Sequence, residues 1–238
     1  MSVKDVVNGL SQLKLSGMKD EYEHQATYPQ FNEQPFSDRF LAIINAEQER
    51  RYQNKMDRMM KAAKFKYRAV PEDIDYSIKR GIQKDIFLEL LKCDWIDKNR
   101  HLLITGPSGT GKTWLSCAIG TAAIRLGRSV RYGRVSRLLE EIQYARLDGS
   151  MQKLRKKLST QALLIIDDFA LHPLKPQERV DLFEMIEDRS SISSLIIIGQ
   201  RPVADWYGYI KDPLLADAFM DRVQSGSSLL NLTGESNR

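Results

Sequence analysis

The octapeptide GPSGTGKT at 106–113 sets three glycines, a lysine and a threonine hydroxyl at a spacing that suits the holding of a triphosphate. Gly106, Gly109 and Gly111 let the backbone fold tightly, so that successive amides turn toward one concavity. Pro107, Ser108 and Thr110 fill the positions between them. A helix that begins here contributes unpaired N-terminal amides and the positive end of its dipole. Lys112 has the reach to contact β- and γ-phosphates, and the Thr113 hydroxyl is a hard oxygen ligand suited to Mg²⁺. ATP and Mg²⁺ are the expected ligands of residues 106–113.

Such a site needs a carboxylate on the metal side and a group that manages the attacking water. LLIIDDF at 163–169 supplies two acids at the end of an apolar run. Asp167 is the expected metal-side acid, with Thr113, and Asp168 the residue that orients or deprotonates water. SLIIIG at 194–199 is followed by Gln200, a polar side chain at the carboxyl edge of the sheet, where ligands of such folds sit. Arg222, in a late helix, is either a surface partner of Asp217 or Asp221 or an arginine offered in trans to a neighbouring subunit's nucleotide.

The elements that must position these residues are legible in the periodicity. HLLIT (101–105), SVRYG (129–133), ALLIID (162–167), SLIIIG (194–199) and SSLLNL (227–232) read as strands. Between them, helical patterns cover 112–127 (closed by Gly127), 136–147, 175–189 and 212–223, the last capped by Asp212 with Pro213 in its first turn, and a basic stretch lies at 152–158. Strands alternating with helices predict an α/β fold with a five-stranded parallel sheet covered on both faces. In SVRYG, Val130 and Tyr132 alternate with Ser129, Arg131 and Gly133, which predicts an edge strand with one wet face. Upstream, residues 1–70 read as a small all-α domain, including a helix ended near Pro29 and a longer one capped by Ser37. Pro71 and PEDIDYS mark a linker to the ATPase domain at 71–238.

Charge is distributed unevenly. Residues 1–160 carry 29 Lys and Arg against 19 Asp and Glu, whereas residues 161–238 carry 7 against 12. Eight of the cations, Arg50, Arg51, Lys55, Arg58, Lys61, Lys64, Lys66 and Arg68, crowd around a single acid, Asp57, with Tyr52, Phe65 and Tyr67 interleaved. Five more recur at every third position from 125 to 137, and Lys153, Arg155, Lys156 and Lys157 continue the charge. Arg125 suits the C-terminal end of its helix and Arg128 the turn after it. Arg131 on the strand, Arg134 in the loop beyond it and Arg137 at the start of the next helix are expected to contact phosphates of double-stranded DNA, as is the 50–68 cluster.

The remaining bounds are negative. No run of 18 apolar residues occurs, so no membrane span is expected, and the first residues lack the apolar core of a signal peptide. Two cysteines and three scattered histidines make neither a disulfide framework nor a zinc site. The cytoplasm is the expected compartment.

GPSGTGKT, LLIIDDF, IIIGQRPVADWYGYIKDPLLADAFMDR, the C-terminal GESNR, LSGM and DWIDKNRHLLITGPSGTGKT together resemble the IstB-type transposition helper ATPases of bacterial insertion sequences, in the initiator branch of the AAA+ ATPases, related to DnaC-type helicase loaders. The resemblance covers nearly the whole chain. It implies a homo-oligomer that binds ATP, assembles on duplex DNA and prepares target DNA for a cognate transposase. It also implies that Lys112, Thr113 and Asp167 hold ATP and Mg²⁺, that Asp168 is the catalytic acid, Gln200 the first sensor and Arg222 the trans-acting finger. Two departures stand out: Asp168 replaces the glutamate of most AAA+ proteins, which implies slow hydrolysis, and Arg238, at the second-sensor position, is the last residue. A helicase loader and a small-molecule P-loop kinase are the competing readings. The kinase needs an arginine-rich lid, whereas the arginines here fall on the edge strand and the N-terminal helix.

Overall fold

The three apolar runs at 101–105, 163–169 and 194–199 hold residues fit for burial on both faces, and they form the middle of the sheet. In the computed structural model, which describes residues 2–77 and 81–234, strands β1 (His101–Thr105) and β4 (Ser194–Gly199) are buried along their whole length. With β2 (Val130–Arg134), β3 (Leu163–Phe169) and β5 (Ser227–Asn231) they make a parallel sheet in the order β2-β3-β4-β1-β5. The α/β class with a five-stranded parallel sheet is as the sequence predicts, and β2 lies at an edge.

The chain divides into two compact units, Met1–Arg58 and Met59–Arg238. The first contains α1 (Val3–Gln12), α2 (Ser16–Thr27), a 3-10 turn at Pro29–Glu33 and most of α3 (Phe36–Ala63). Ser37 lies inside α3, whose first turn is closed by the Pro35 carbonyl accepting from Asp38 and Arg39, so it is not the cap expected of it. The LSGM stretch has a physical role here. A Cβ on Gly17 would stand 2.5 Å from the Ala46 carbonyl oxygen, so only glycine lets α2 approach α3 this closely. The Gly17 and Met18 amides donate to the Glu47 carboxylate at 2.8 and 3.3 Å, giving the start of α2 a cap from another helix. Burial pushes the Glu47 carboxyl up, but hydrogen bonds from Arg51 and these two amides outweigh it and hold the group below its ordinary range.

In the second unit, a 3-10 turn at Pro71–Asp73 and two short helices, α4 (Lys84–Leu91) and α5 (Asp94–Asp97), precede β1. The sheet is then covered on one side by α6 (Lys112–Arg125), where a Cβ on Gly120 would meet Ile165 of β3. On the other side Leu103, Leu164, Ile166, Leu195 and Ile197 join one apolar cluster with α7 (Val135–Leu147), α8 (Met151–Ser159), α9 (Pro176–Glu187), α10 (Trp206–Ile210) and α11 (Pro213–Gln224). Asp212 caps α11, its carboxylate accepting from the Leu215 amide at 3.1 Å.

The wet face expected of β2 is absent. Val130, Arg131, Tyr132 and Gly133 are all buried, and only Arg134 is exposed. The reason lies in α7, which begins at the residue after the strand and folds back over it. Arg134 is accordingly the last strand residue, not part of a loop.

Candidate active site

The phosphate loop runs from the end of β1 into α6. Its three glycines all take left-handed or related positive φ values, 140° at Gly106, 86° at Gly109 and 89° at Gly111, which other residues adopt only at a cost. The Thr110 hydroxyl donates to the Pro107 carbonyl at 2.9 Å and is fully buried, bracing the loop from within. Lys112 is buried as well, and its ammonium donates to the Gly106 and Pro107 carbonyls at 2.7 and 2.6 Å. Burial pulls its pKa below the ordinary lysine value, partly offset by the nearby Asp167 and Asp168 carboxylates.

The acids arrive from β3. Asp167 is 1% exposed. Its Oδ2 accepts from the Thr113 hydroxyl at 2.8 Å and from the Tyr132 hydroxyl at 2.7 Å, and its Oδ1 accepts from the Asp168 amide at 2.8 Å. The pairing of β3 with β4 shifts register between Ile166 and Phe169, and Asp168 adopts a left-handed φ of 58°. That conformation is costly for a residue with a side chain. Phe169 secures it from behind, stacked on Phe219 and packed against Trp206 and Tyr209. The turn leaves Asp168 half-buried, facing the loop.

Between loop and acids lies a cleft of about 380 Å³ lined by Ser108, Gly109, Gly111, Lys112, Thr113, Asp168 and Gln200. These residues, each expected at the site from the sequence, line one cleft in the structure. Sequence reasoning did not foresee Lys66, Tyr67, Asp73 and Trp114, which line the same cleft. Trp114 follows Thr113 on α6, and Phe65 explains how the other three arrive: its ring lies so close to Gly120 of α6 that a Cβ there would stand 2.6 Å away, and this contact brings the chain after α3 to the cleft. The aromatic residues interleaved with the basic run were the available signal, but they read equally well as a nucleic-acid surface.

The oxygen donors fit a hard cation. A hydroxyl and a carboxylate oxygen 2.8 Å apart, beside a glycine cradle, are the ligand types Mg²⁺ takes alongside phosphate oxygens. Thr113 and Asp167 would hold it.

The predicted DNA contacts divide. Arg131 is 5% exposed, its guanidinium donating to the Tyr132 carbonyl at 2.8 Å and paired with Glu141 of α7. It is committed inside the fold, so its assignment as a phosphate contact is corrected. Arg134 is 45% exposed at its side chain and forms an ion pair with Asp168 at 3.2 Å. Arg137 is well exposed, with Glu140 beside it. In the basic run, Arg50 pairs with Asp20 and Arg51 with Glu47, while Arg58 donates to its own helix at Asn54. Lys64 lies 3.7 Å from Glu141, and Lys55, Lys61 and Arg68 are exposed. Arg155, read as part of the basic continuation, is held by Asp188 and Glu184.

Arg222 does not line the cleft of its own chain. Its partner is Glu187 of α9, not Asp217 or Asp221, and its guanidinium lies over the Phe183 ring at 5.1 Å. Arg238 lies outside the described residues.

The sequence model of the family described as IstB-like ATP binding protein matches residues 8–238. A protein of Sinorhizobium fredii named as an insertion sequence ATP-binding protein is 38% identical over 100% of this chain and 97% of its own length. A protein of Pseudomonas fluorescens with a similar name is 37% identical over 85% of this chain and 88% of its own. Among solved structures, the DnaC helicase loader superposes with a TM-score of 0.53 at 17% identity, over 74% of this chain and 98% of that one, a likeness of fold. Among the described residues no helix is long and apolar enough to cross a membrane.

Proposed function

The chain belongs to the IstB-like ATP-binding protein family of insertion sequences, and from that premise we propose that it is an ATP-dependent helper that oligomerises on duplex DNA and presents it to a cognate transposase. The observation that carries the reading is the convergence, on one cleft, of the glycine loop, Lys112, Thr113, Asp168 and Gln200, with the buried Asp167 behind them.

In this reading the loop amides and Lys112 bind the triphosphate, the ammonium exchanging its two carbonyl partners for phosphate oxygens. Thr113 and Asp167 would hold Mg²⁺, which when bound would neutralise negative charge on the triphosphate. Asp168 orients the water that attacks the γ-phosphorus and takes its proton, giving ADP and phosphate, and Gln200 steadies that water or the γ-phosphate. The charge that develops on the transferred group is met by Arg222 of a neighbouring copy once it leaves Glu187. ATP is then a joint between subunits, and hydrolysis loosens it.

Two features support coupling of DNA to that joint. Arg134 reaches solvent yet pairs with Asp168, so a phosphate that draws Arg134 away frees the acid. Arg137, on the first turn of α7, stands beside it on the open surface. The contacts would be largely independent of base sequence and strongly weakened by salt.

Sedimentation with and without ATP tests the switch. Lys112→Ala is expected to lose nucleotide-dependent oligomers, and Asp168→Asn to keep them after ATP is added. The same oligomer in every case overturns the reading. Electron micrographs of the chain with duplex DNA and a non-hydrolysable nucleotide show whether the copies line the duplex. Capture of the transposase in preference to a replicative helicase separates this function from helicase loading.

A further inference from the structure

Tyr132 has no place in the chemistry above, yet it is 6% exposed and its hydroxyl touches the most buried acid of the site. It belongs neither to the phosphate loop nor to the acid-bearing strand. It sits on β2, where the register sets it opposite Ile165 and sets Arg134 opposite Asp167. Tyr132 and Arg134 are two apart on one strand and point to the same side. Their partners are the two neighbouring acids. Tyr132 donates to Asp167 at 2.7 Å and Arg134 pairs with Asp168 at 3.2 Å. A phenol is protonated at neutral pH, so the hydroxyl is a standing donor.

The consequence lies in what Asp167 does to Thr113. Oδ2 of Asp167 accepts from Thr113 and from Tyr132 at once. A threonine hydroxyl that donates its one hydrogen to a carboxylate has its lone pairs left to face a cation. Which way the carboxylate plane lies therefore decides which way those lone pairs point. Asp168 fixes the far oxygen through its amide, and among the described residues the near oxygen is fixed from the side by Tyr132, apart from Thr113 itself. Partners behind a metal ligand set its orientation and basicity.

We propose that Tyr132 is a positioning residue for the metal-side acid: its hydroxyl holds Asp167, and through it Thr113, in the orientation that accepts Mg²⁺ with the nucleotide. The inference rests on the reading of the cleft as a Mg²⁺–ATP site and adds to it a residue from a third strand.

Tyr132→Phe keeps the ring that packs in the core and removes only the donor. The affinity of a fluorescent ATP analogue labelled on the ribose is measured in EDTA and across a Mg²⁺ titration. In EDTA the variant is expected to match the unaltered chain. The Mg²⁺ midpoint is expected to rise about 10-fold. Val130→Ala, on the same buried strand, is the control for a loosened edge: it lowers the melting temperature and leaves the Mg²⁺ midpoint in place. A Tyr132→Phe protein with an unchanged midpoint overturns the inference, as does a Val130→Ala protein whose midpoint moves equally. If the unaltered chain shows no Mg²⁺ dependence at all, it is the reading of the cleft that fails.

Discussion

Arg134→Ala separates two roles that the ion pair at 3.2 Å ties together. The side chains are 45% and 30% exposed, so water screens the attraction and the pair contributes on the order of 0.2–1 kcal/mol, the range measured for open ion pairs. At the upper end, removing it raises the population of unpaired Asp168 about 5-fold, since about 1.4 kcal/mol corresponds to a factor of ten. Phosphate release without DNA should therefore rise by up to about 5-fold. The same substitution removes one phosphate contact, so duplex affinity falls and the slope of log affinity against log salt becomes shallower by about 1. Duplex should no longer stimulate the rate, because the acid is already free. Phosphate release is followed at saturating ATP with and without duplex, and duplex affinity at several salt concentrations. A DNA-free rate at or below that of the unaltered chain refutes the latch. A duplex that still stimulates by the original factor refutes it independently.

Other substitutions probe other joints. Gly17→Ala forces a Cβ into the Ala46 carbonyl and pulls the start of α2 off Glu47, so the urea midpoint should fall by the equivalent of about 2 kcal/mol, and an unchanged midpoint would show that α2 can shift freely. Arg222→Ala should bind nucleotide normally but fail to hydrolyse it in assemblies, and mixing it with Lys112→Ala should restore turnover, because each supplies what the other lacks; no recovery argues against a contribution in trans. Burial, with Arg189 adding to it, holds His101 below its ordinary 6.5, so the imidazole stays neutral in the fold. The unfolded chain takes up that proton first, and stability that is complete above about pH 6.5 should decline as pH falls below it; His101→Gln should flatten that part of a melting-temperature profile.

The middle strands were legible because burial on both faces leaves an apolar run with nothing to misread, and the phosphate loop because its chemistry is local in sequence. β2 shows where that locality ends. Reading Arg131 as wet assumes that a charged side chain on a strand must reach water. Here it reaches Glu141, ten positions along, because α7 turns back over the strand it follows. Tyr132 gave the opposite signal. A tyrosine at an inward position requires a partner for its hydroxyl, but the partner is a carboxylate on β3, and only the sheet order brings the two together.

The basic run teaches the same lesson through charge. Counting Lys and Arg between 50 and 68 treats each as available to a polyanion. Asp20 and Glu47, upstream acids that the count omits, engage Arg50 and Arg51, and Lys66 stands at the nucleotide cleft. An arginine already paired with a carboxylate gains less from a DNA phosphate, because binding must first break that pair. Arg137 is paired as well, with Glu140, but that pair, 74% and 47% exposed, is more open to water than those of Arg50 and Arg51, so it breaks at less cost when a duplex phosphate arrives. If that weighting is right, neutralising Arg134 and Arg137 together should shift the salt slope more than neutralising Arg50 and Arg51 together. Equal or reversed effects would mean that the pairs with Asp20 and Glu47 open at no cost when DNA arrives.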